Sequence, residues 1–248
     1  VRIFGLALFV LWLSGCASDG AGLPPDRAFA SAKIHTELAE SYFERKQYSI
    51  ALQEIEIALR SKSNYAPAFN VRGLIHLTLR EDILAEEDFR HGLKLDESDS
   101  TTHNNYGWFL CQRGRENEAI LQFLEALKNP LYSTPEMAFV NAGVCSQKIN
   151  KLAEAEEYFQ RALVRTPNLP DALFGLAEVN FIKHDVATAK SYFLRLSQRV
   201  SELTAPQLWL AIRIERKVGD RNSEQSYALQ LQKRFPDSHE TQLMLHGE

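Results

Sequence analysis

Small side chains recur along this sequence at a nearly fixed interval: Ala39, Gly73, Gly107, Gly143, Ala177 and Ala211 are separated by 34, 34, 36, 34 and 34 residues. A second ladder keeps the same steps twelve residues later, at Ala51, Ala85, Ala119, Ala155, Ala189 and Ser223. A third lies four residues beyond that, at Ile55, Phe89, Phe123, Phe159, Phe193 and Tyr227. Ladders held in step are the signature of a stack of like units, in which each unit meets only its neighbours and repeats one contact. The spacing inside a unit is helical: Ala155, Phe159, Ala162 and Leu163 fall at i, i+4, i+7 and i+8, one face of a helix.

The pattern resembles the tetratricopeptide repeat, two antiparallel helices per unit, in which small residues let the paired helices approach and the large residue fills the gap. That resemblance implies an all-α chain folded as a right-handed superhelical solenoid of six repeats, at about 32–65, 66–99, 100–133, 136–169, 170–203 and 204–238, with a tail at 239–248. Prolines punctuate the seams at positions 67, 135, 167, 170 and 236, where proline can open a helix but not sit inside one. The single step of 36 comes from residues 129–135, Asn-Pro-Leu-Tyr-Ser-Thr-Pro, which predict a bend or offset between repeats three and four. In repeat six the turn Gly219-Asp220 is displaced by one relative to Gly114-Arg115 in repeat three. Residues 237–246 read as a short helical cover.

Ahead of the repeats, residues 3–13, IFGLALFVLWL, follow Arg2 as an unbroken apolar run. The run is short for a membrane span and right for the apolar core of a secretory signal. Leu13-Ser14-Gly15-Cys16 follows, and resembles a bacterial lipobox. The expectation is a signal peptide at 1–15, cleavage before Cys16 and acylation of Cys16; the alternative is an ordinary signal with an incidental cysteine. Each buried methylene of an acyl chain contributes about 0.8 kcal/mol, so several chains anchor stably. Ala17 stands where Asp would be the usual inner-membrane retention signal, which resembles an outer-membrane destination on the periplasmic face. Residues 16–31 then read as the lipidated cysteine and a flexible tether, on the strength of the small, Gly and Pro-Pro composition of 17–27.

A net charge of −4 argues against a nucleic-acid surface, which needs clustered Lys and Arg. Neither the seven His, the cysteines nor the acidic runs show the spacing of a metalloprotease, a redox pair, a nucleophile elbow or a phosphate loop, so the expectation is no enzyme, no cofactor, no metal and no small-molecule substrate. Residues 96–100, Asp-Glu-Ser-Asp-Ser, lack the central Gly and terminal Glu of a calcium loop and read as a solvated junction. Cys111 and Cys145 lie in the first helices of repeats three and four, about 3 Å out of register along the helix. Either they form a disulfide, which an oxidising periplasm permits, or they are two small buried thiols.

By analogy with such arrays, the first helices line a concave groove. The offsets that point into it give Asn70, Leu74 and Leu77 from repeat two; Asn104, Asn105 and Trp108 from repeat three; Asn141, Val144 and Gln147 from repeat four; and Phe174, Glu178 and Phe181 from repeat five. Asn105 and Asn141 hold the position at which peptide-binding arrays often place an amide for a ligand backbone, although Asn near a helix start also serves as a cap. The lysines of a carboxylate clamp are missing, so the expected occupant is an apolar segment or helix. At the other end, residues 28–31 read as too short for a capping helix, which leaves Ile34, Phe43 and Ile50 as candidates for a partly exposed apolar end.

The lipobox, the repeats, and the stretches Asn104-Asn105-Tyr106-Gly107-Trp108-Phe109-Leu110-Cys111 and Asn141-Ala142-Gly143-Val144-Cys145 together resemble the PilF/PilW family of type IV pilus biogenesis and stability lipoproteins. The likeness covers essentially the whole chain. It implies a pilotin-like role, in which an outer-membrane-anchored protein binds the pilus secretin and promotes its localisation and multimerisation. The other expectation is a periplasmic lipoprotein scaffold that recruits cell-wall hydrolases or serves an outer-membrane assembly complex.

Overall fold

The computed structural model describes residues 24–247. The leader at 1–15 and Cys16 therefore lie outside the described residues. The described part is built of α-helices in the order α1 (Pro25–Glu44), α2 (Tyr48–Ser61), α3 (Ala66–Leu79), α4 (Asp82–Leu95), α5 (Ser100–Gln112), α6 (Glu116–Ala126), α7 (Pro135–Lys148), α8 (Leu152–Arg165), α9 (Pro170–Ile182), α10 (Val186–Ser197), α11 (Ala205–Val218), α12 (Arg221–Arg234) and α13 (His239–His246). Successive pairs from α1/α2 to α11/α12 are the six repeats. Among the described residues no helix is long and apolar enough to cross a membrane.

All three sequence ladders converge in the core. Phe89, Phe123, Phe159 and Phe193 are essentially enclosed, as are the facing alanines at 51, 85, 119, 155 and 189. Proline opens several helices from within their first turn, at Pro25, Pro67, Pro135, Pro170 and Pro206. The missing N–H costs nothing there, because that group has no partner inside the helix. Aspartates cap others. Asp99 accepts from Thr101 N at 3.1 Å, Asp185 from Thr188 N at 3.0 Å and Asp220 from Ser223 N at 3.1 Å. Within the acidic junction Asp96 is similarly occupied by Ser98, so these carboxylates shape the loop.

The two-residue insertion forms its own small plug: Tyr132 is buried between Ala126 and Ala138, a wedge across the seam of α6 and α7. At the far end α13 packs on α11 and α12. It buries Thr241, whose hydroxyl donates to Phe235 O at 2.7 Å, and sets Leu243 and Met244 against the terminal core.

At the N-terminus the structure corrects the tether boundary. Pro25–Glu44 is one continuous helix, so residues 25–31 belong to the first repeat, and the expected lack of a cover there is only partly met. Phe29 sets its ring edge-on to Tyr65 at 5.6 Å, and Ser31 Oγ lies 2.8 Å from Ser61 Oγ. These contacts tie the extra turns to the end of α2 and the start of α3. Ile34 and Ile50 remain exposed at 54% and 38%, whereas Phe43 is half-buried beside Tyr48.

The turn inside each repeat uses one left-handed residue: Lys46, Arg80, Gly114, Asn150, His184 and Gly219 all have φ between 58° and 87°. A side chain in that conformation costs about 1–2 kcal/mol, so glycine is the relaxed choice. A Cβ on Gly114 would meet nothing within 4 Å, which isolates backbone strain from packing. Gly114→Ala should therefore lower unfolding stability by about 1 kcal/mol in urea titration, with unchanged helical circular dichroism.

Candidate functional site

The contacts between helices define an inner and an outer side. Each odd-numbered helix from α1 to α11 touches the next odd one, while successive even helices do not touch. A row of helices packed closely on one side and splayed on the other is curved, with α1, α3, α5, α7, α9 and α11 on the concave side. The candidate groove residues all lie on these helices.

Two asparagine rungs cross the first half of this surface. Asn105 Nδ2 on α5 donates to Asn70 Oδ1 on α3 at 3.0 Å, and Asn141 Nδ2 on α7 donates to Asn104 Oδ1 on α5 at 3.0 Å. Half-buried amides that satisfy one another avoid the cost of desolvation without a partner. The expectation that Asn105 and Asn141 are held ready for a ligand backbone is thus amended: each amide already spends a donor on the neighbouring helix. In the next pair the equivalent offsets hold Val140 and Gly175, which cannot form a rung.

A cavity of about 490 Å³ opens where that rung is missing. Trp108, Met137, Val140, Asn141, Val144, Gln147, Lys148, Phe159, Asp171, Phe174, Gly175, Glu178 and Ile182 line it. Gly175 is required there, because a Cβ would stand 2.3 Å from Phe159 Cζ. The walls follow helical spacing: residues 137, 140, 144 and 147 on α7 face 171, 174, 178 and 182 on α9.

Of the expected groove residues, Trp108, Asn141, Val144, Gln147, Phe174 and Glu178 meet in this cavity. Leu77 and Trp108 border a second depression with Arg80, Asp82, Gln112 and Arg113, where Arg113 Nε donates to Asp82 at 2.7 Å. Trp108 thus divides the two hollows. Leu74 packs half-buried against the core of repeats two to four. Phe181 does not line the cavity; it lies beneath Arg213, whose guanidinium carbon is 4.7 Å from the ring centre.

Charge in the cavity is sparse and asymmetric. Gln147 Nε2 donates to Glu178 Oε2 at 3.5 Å, a long bond across the groove. Burial raises the pKa of Glu178, and the amide of Gln147 and the charge of Arg213 oppose that rise. Arg213 is itself desolvated, which lowers its pKa, and its cation rests on the rings of Phe181 and Trp209. Lys148 Nζ donates to Cys111 O at 3.2 Å. Among the described residues no group of three or more His, Cys, Asp or Glu could hold a metal ion. The arrangement can desolvate and hold an apolar side chain; it offers no paired acid and base.

Comparison with known proteins agrees with this architecture. Residues 147–199 match the tetratricopeptide repeat family. The chain superposes on the crystal structure of PilW, a widely conserved type IV pilus biogenesis factor, with TM-score 0.80 and 36% identity over 86% of this chain and 98% of that one. It superposes on the structure of PilF from Pseudomonas aeruginosa with TM-score 0.81 and 28% identity, covering 90% of this chain and all (100%) of that one. In sequence, the type IV pilus assembly protein PilF of Pseudomonas aeruginosa is 30% identical over 245 residues, 98% of this chain and 97% of the relative. The chain belongs to the PilF/PilW family of tetratricopeptide-repeat proteins.

In this PilF/PilW-family chain one covalent link crosses the groove wall. Cys111 on α5 and Cys145 on α7 are joined by a disulfide with their Cα atoms 5.9 Å apart. It closes a loop of 34 residues and lies beside the Asn104–Asn141 rung, so α5 and α7 are fixed next to each other where the cavity begins. The sequence reading did not pick out Met137, Val140, Asp171, Gly175 and Ile182 as groove residues. The available signal was the break in the asparagine pattern at 140 and 175. Replacing both cysteines by Ser should lower stability by about 3 kcal/mol in a denaturant titration. Thiol counting on the denatured, unreduced wild-type chain should find neither residue reactive.

Proposed function

We propose that this chain is a non-enzymatic lipoprotein of type IV pilus biogenesis. Acylated Cys16 anchors it to the periplasmic face of the outer membrane, and the repeats bind the pilus secretin and promote its localisation and multimerisation there. The observation that carries the reading is the 30% identity, over nearly the full length of both chains, to a type IV pilus assembly protein. The apolar groove on the concave side supports a binding role, since what it offers a partner is shape and desolvation.

Mechanistically, the anchor and the groove do separate work. Fixing receptor and client at one surface makes their encounter effectively intramolecular and raises their mutual concentration without a new contact. The groove then supplies selectivity through Trp108, Val144 and Phe174, which release water when an apolar side chain enters. The disulfide and the asparagine rungs hold the wall at α5 and α7 in place, so little ordering is needed on binding.

Cys16→Ser should leave the helical spectrum intact and move the chain out of the membrane fraction; unchanged fractionation would remove the lipid anchor from the proposal. Deleting the gene should abolish surface pili and heat-stable secretin multimers. Loss of cell-wall hydrolase activity with normal secretin multimers would instead identify the client as a hydrolase.

A further inference from the structure

We infer that the cavity between α7 and α9 recognises a partner helix that inserts an apolar side chain at the missing asparagine rung and places a lysine or arginine one turn away, against Glu178. The inference rests on reading the groove as the partner-binding surface, and names the chemistry of the segment that fills it.

The apolar part follows from the lining. Val140, Val144, Phe174 and Trp108 surround a hollow that Gly175 and the Phe159 ring also line. The α3–α5 and α5–α7 seams are closed there by amide rungs, whereas the α7–α9 seam has a hole at that offset. A volume of about 490 Å³ takes a bulky side chain together with part of its neighbour on a helix.

The basic part follows from charge. Glu178 faces the cavity, and burial makes its ionised form costly. Its one hydrogen bond among the described residues is the 3.5 Å contact from Gln147. Arg213 attracts it without forming an ion pair, because that guanidinium is stacked on Phe181 and Trp209. Lys148, the cation on the rim, is turned to the carbonyl of Cys111. Asp171 adds a second carboxylate at the edge. The lining therefore presents carboxylates whose own cations are engaged elsewhere, and a cation from outside would complete the set.

The helical part follows from spacing. Gly175 and Glu178 are three residues apart on α9, about 4.5 Å along its axis. Positions i and i+3 of a helix lying in the α7–α9 seam, parallel to α9, have the same separation, so one face reaches the hole and the carboxylate together.

Three synthetic amphipathic helical peptides test this, sharing Leu and Phe on one face and differing in one residue a turn from the Phe: Lys, norleucine or Glu. Binding is measured calorimetrically to the full chain in phosphatidylcholine nanodiscs. The Lys peptide should bind about tenfold more tightly than the Glu peptide, with norleucine between, as an opposite charge beside a desolvated carboxylate requires. Glu178→Gln should reduce that gap to about twofold or less while keeping the helical spectrum. Val144→Arg, at the half-exposed edge of α7, should weaken all three by filling the groove. Equal affinities for the three peptides, a gap that survives Glu178→Gln, or binding indifferent to Val144→Arg would each overturn the inference. If it is overturned while deletion of the gene still abolishes secretin multimers, the groove chemistry is wrong and the pilus role stands. Charge-selective binding with normal secretin multimers after deletion leaves the groove chemistry standing and refutes the client.

Discussion

The middle of this solenoid depends on how closely a phenyl ring can approach a backbone. Phe159 on α8 is pressed between α7 and α9, where a Cβ on Gly143 would lie 2.7 Å and one on Gly175 2.3 Å from its ring atoms. The same approach recurs within single repeats, at Phe89 against Gly73 and Phe123 against Gly107. One ring thus sets the distance within a repeat and, at α7–α9, the distance to the next. Truncating an enclosed phenylalanine costs about 3–5 kcal/mol. In a stack where each unit is held only by its neighbours, that loss falls on a whole interface.

The groove is a by-product of the same geometry, and its character changes along its length. Where side chains at the inner offsets are amides, they bond to one another and knit α3 to α5 and α5 to α7. Where the amides run out at Val140 and Gly175, no rung forms and the seam holds a hollow with largely apolar walls. Gly175 admits the Phe159 ring and, having no side chain, supplies no group for a rung. Glu178 stands in that hollow at a cost in desolvation.

Much of this was legible in the sequence because the ladders report packing directly. Ala39, Gly73 and Gly107, with Phe89 and Phe123, have one structural use in a helical repeat, and the displaced turn at Gly219 appears in the structure as a left-handed residue ending α11. Six of the residues assigned to the groove by offset do meet at the cavity. The start of α1 was misread because Pro24-Pro25 and the nearby glycines have tether composition, although proline is also at home in a first helical turn. The floor of the cavity was missed for a different reason. A recess arises from side chains that are absent, and an offset rule that selects residues by what they project does not register Gly175. Arg213 escaped notice because its effect reaches Glu178 from repeat six, across a seam that no spacing within a repeat describes.

The short helix α13 has a consequence for the length of the array. In the repeats before it, each odd helix offers a flank to the next odd helix, and α11 would do the same for a seventh. Instead α13 occupies that flank, held by Ser238 at its cap and Thr241 at its base. Among the described residues that flank of α11 is covered by the chain itself. A second molecule that sought to add end to end on α11 would first have to peel away a helix whose Leu243 and Met244 already pack on the terminal core.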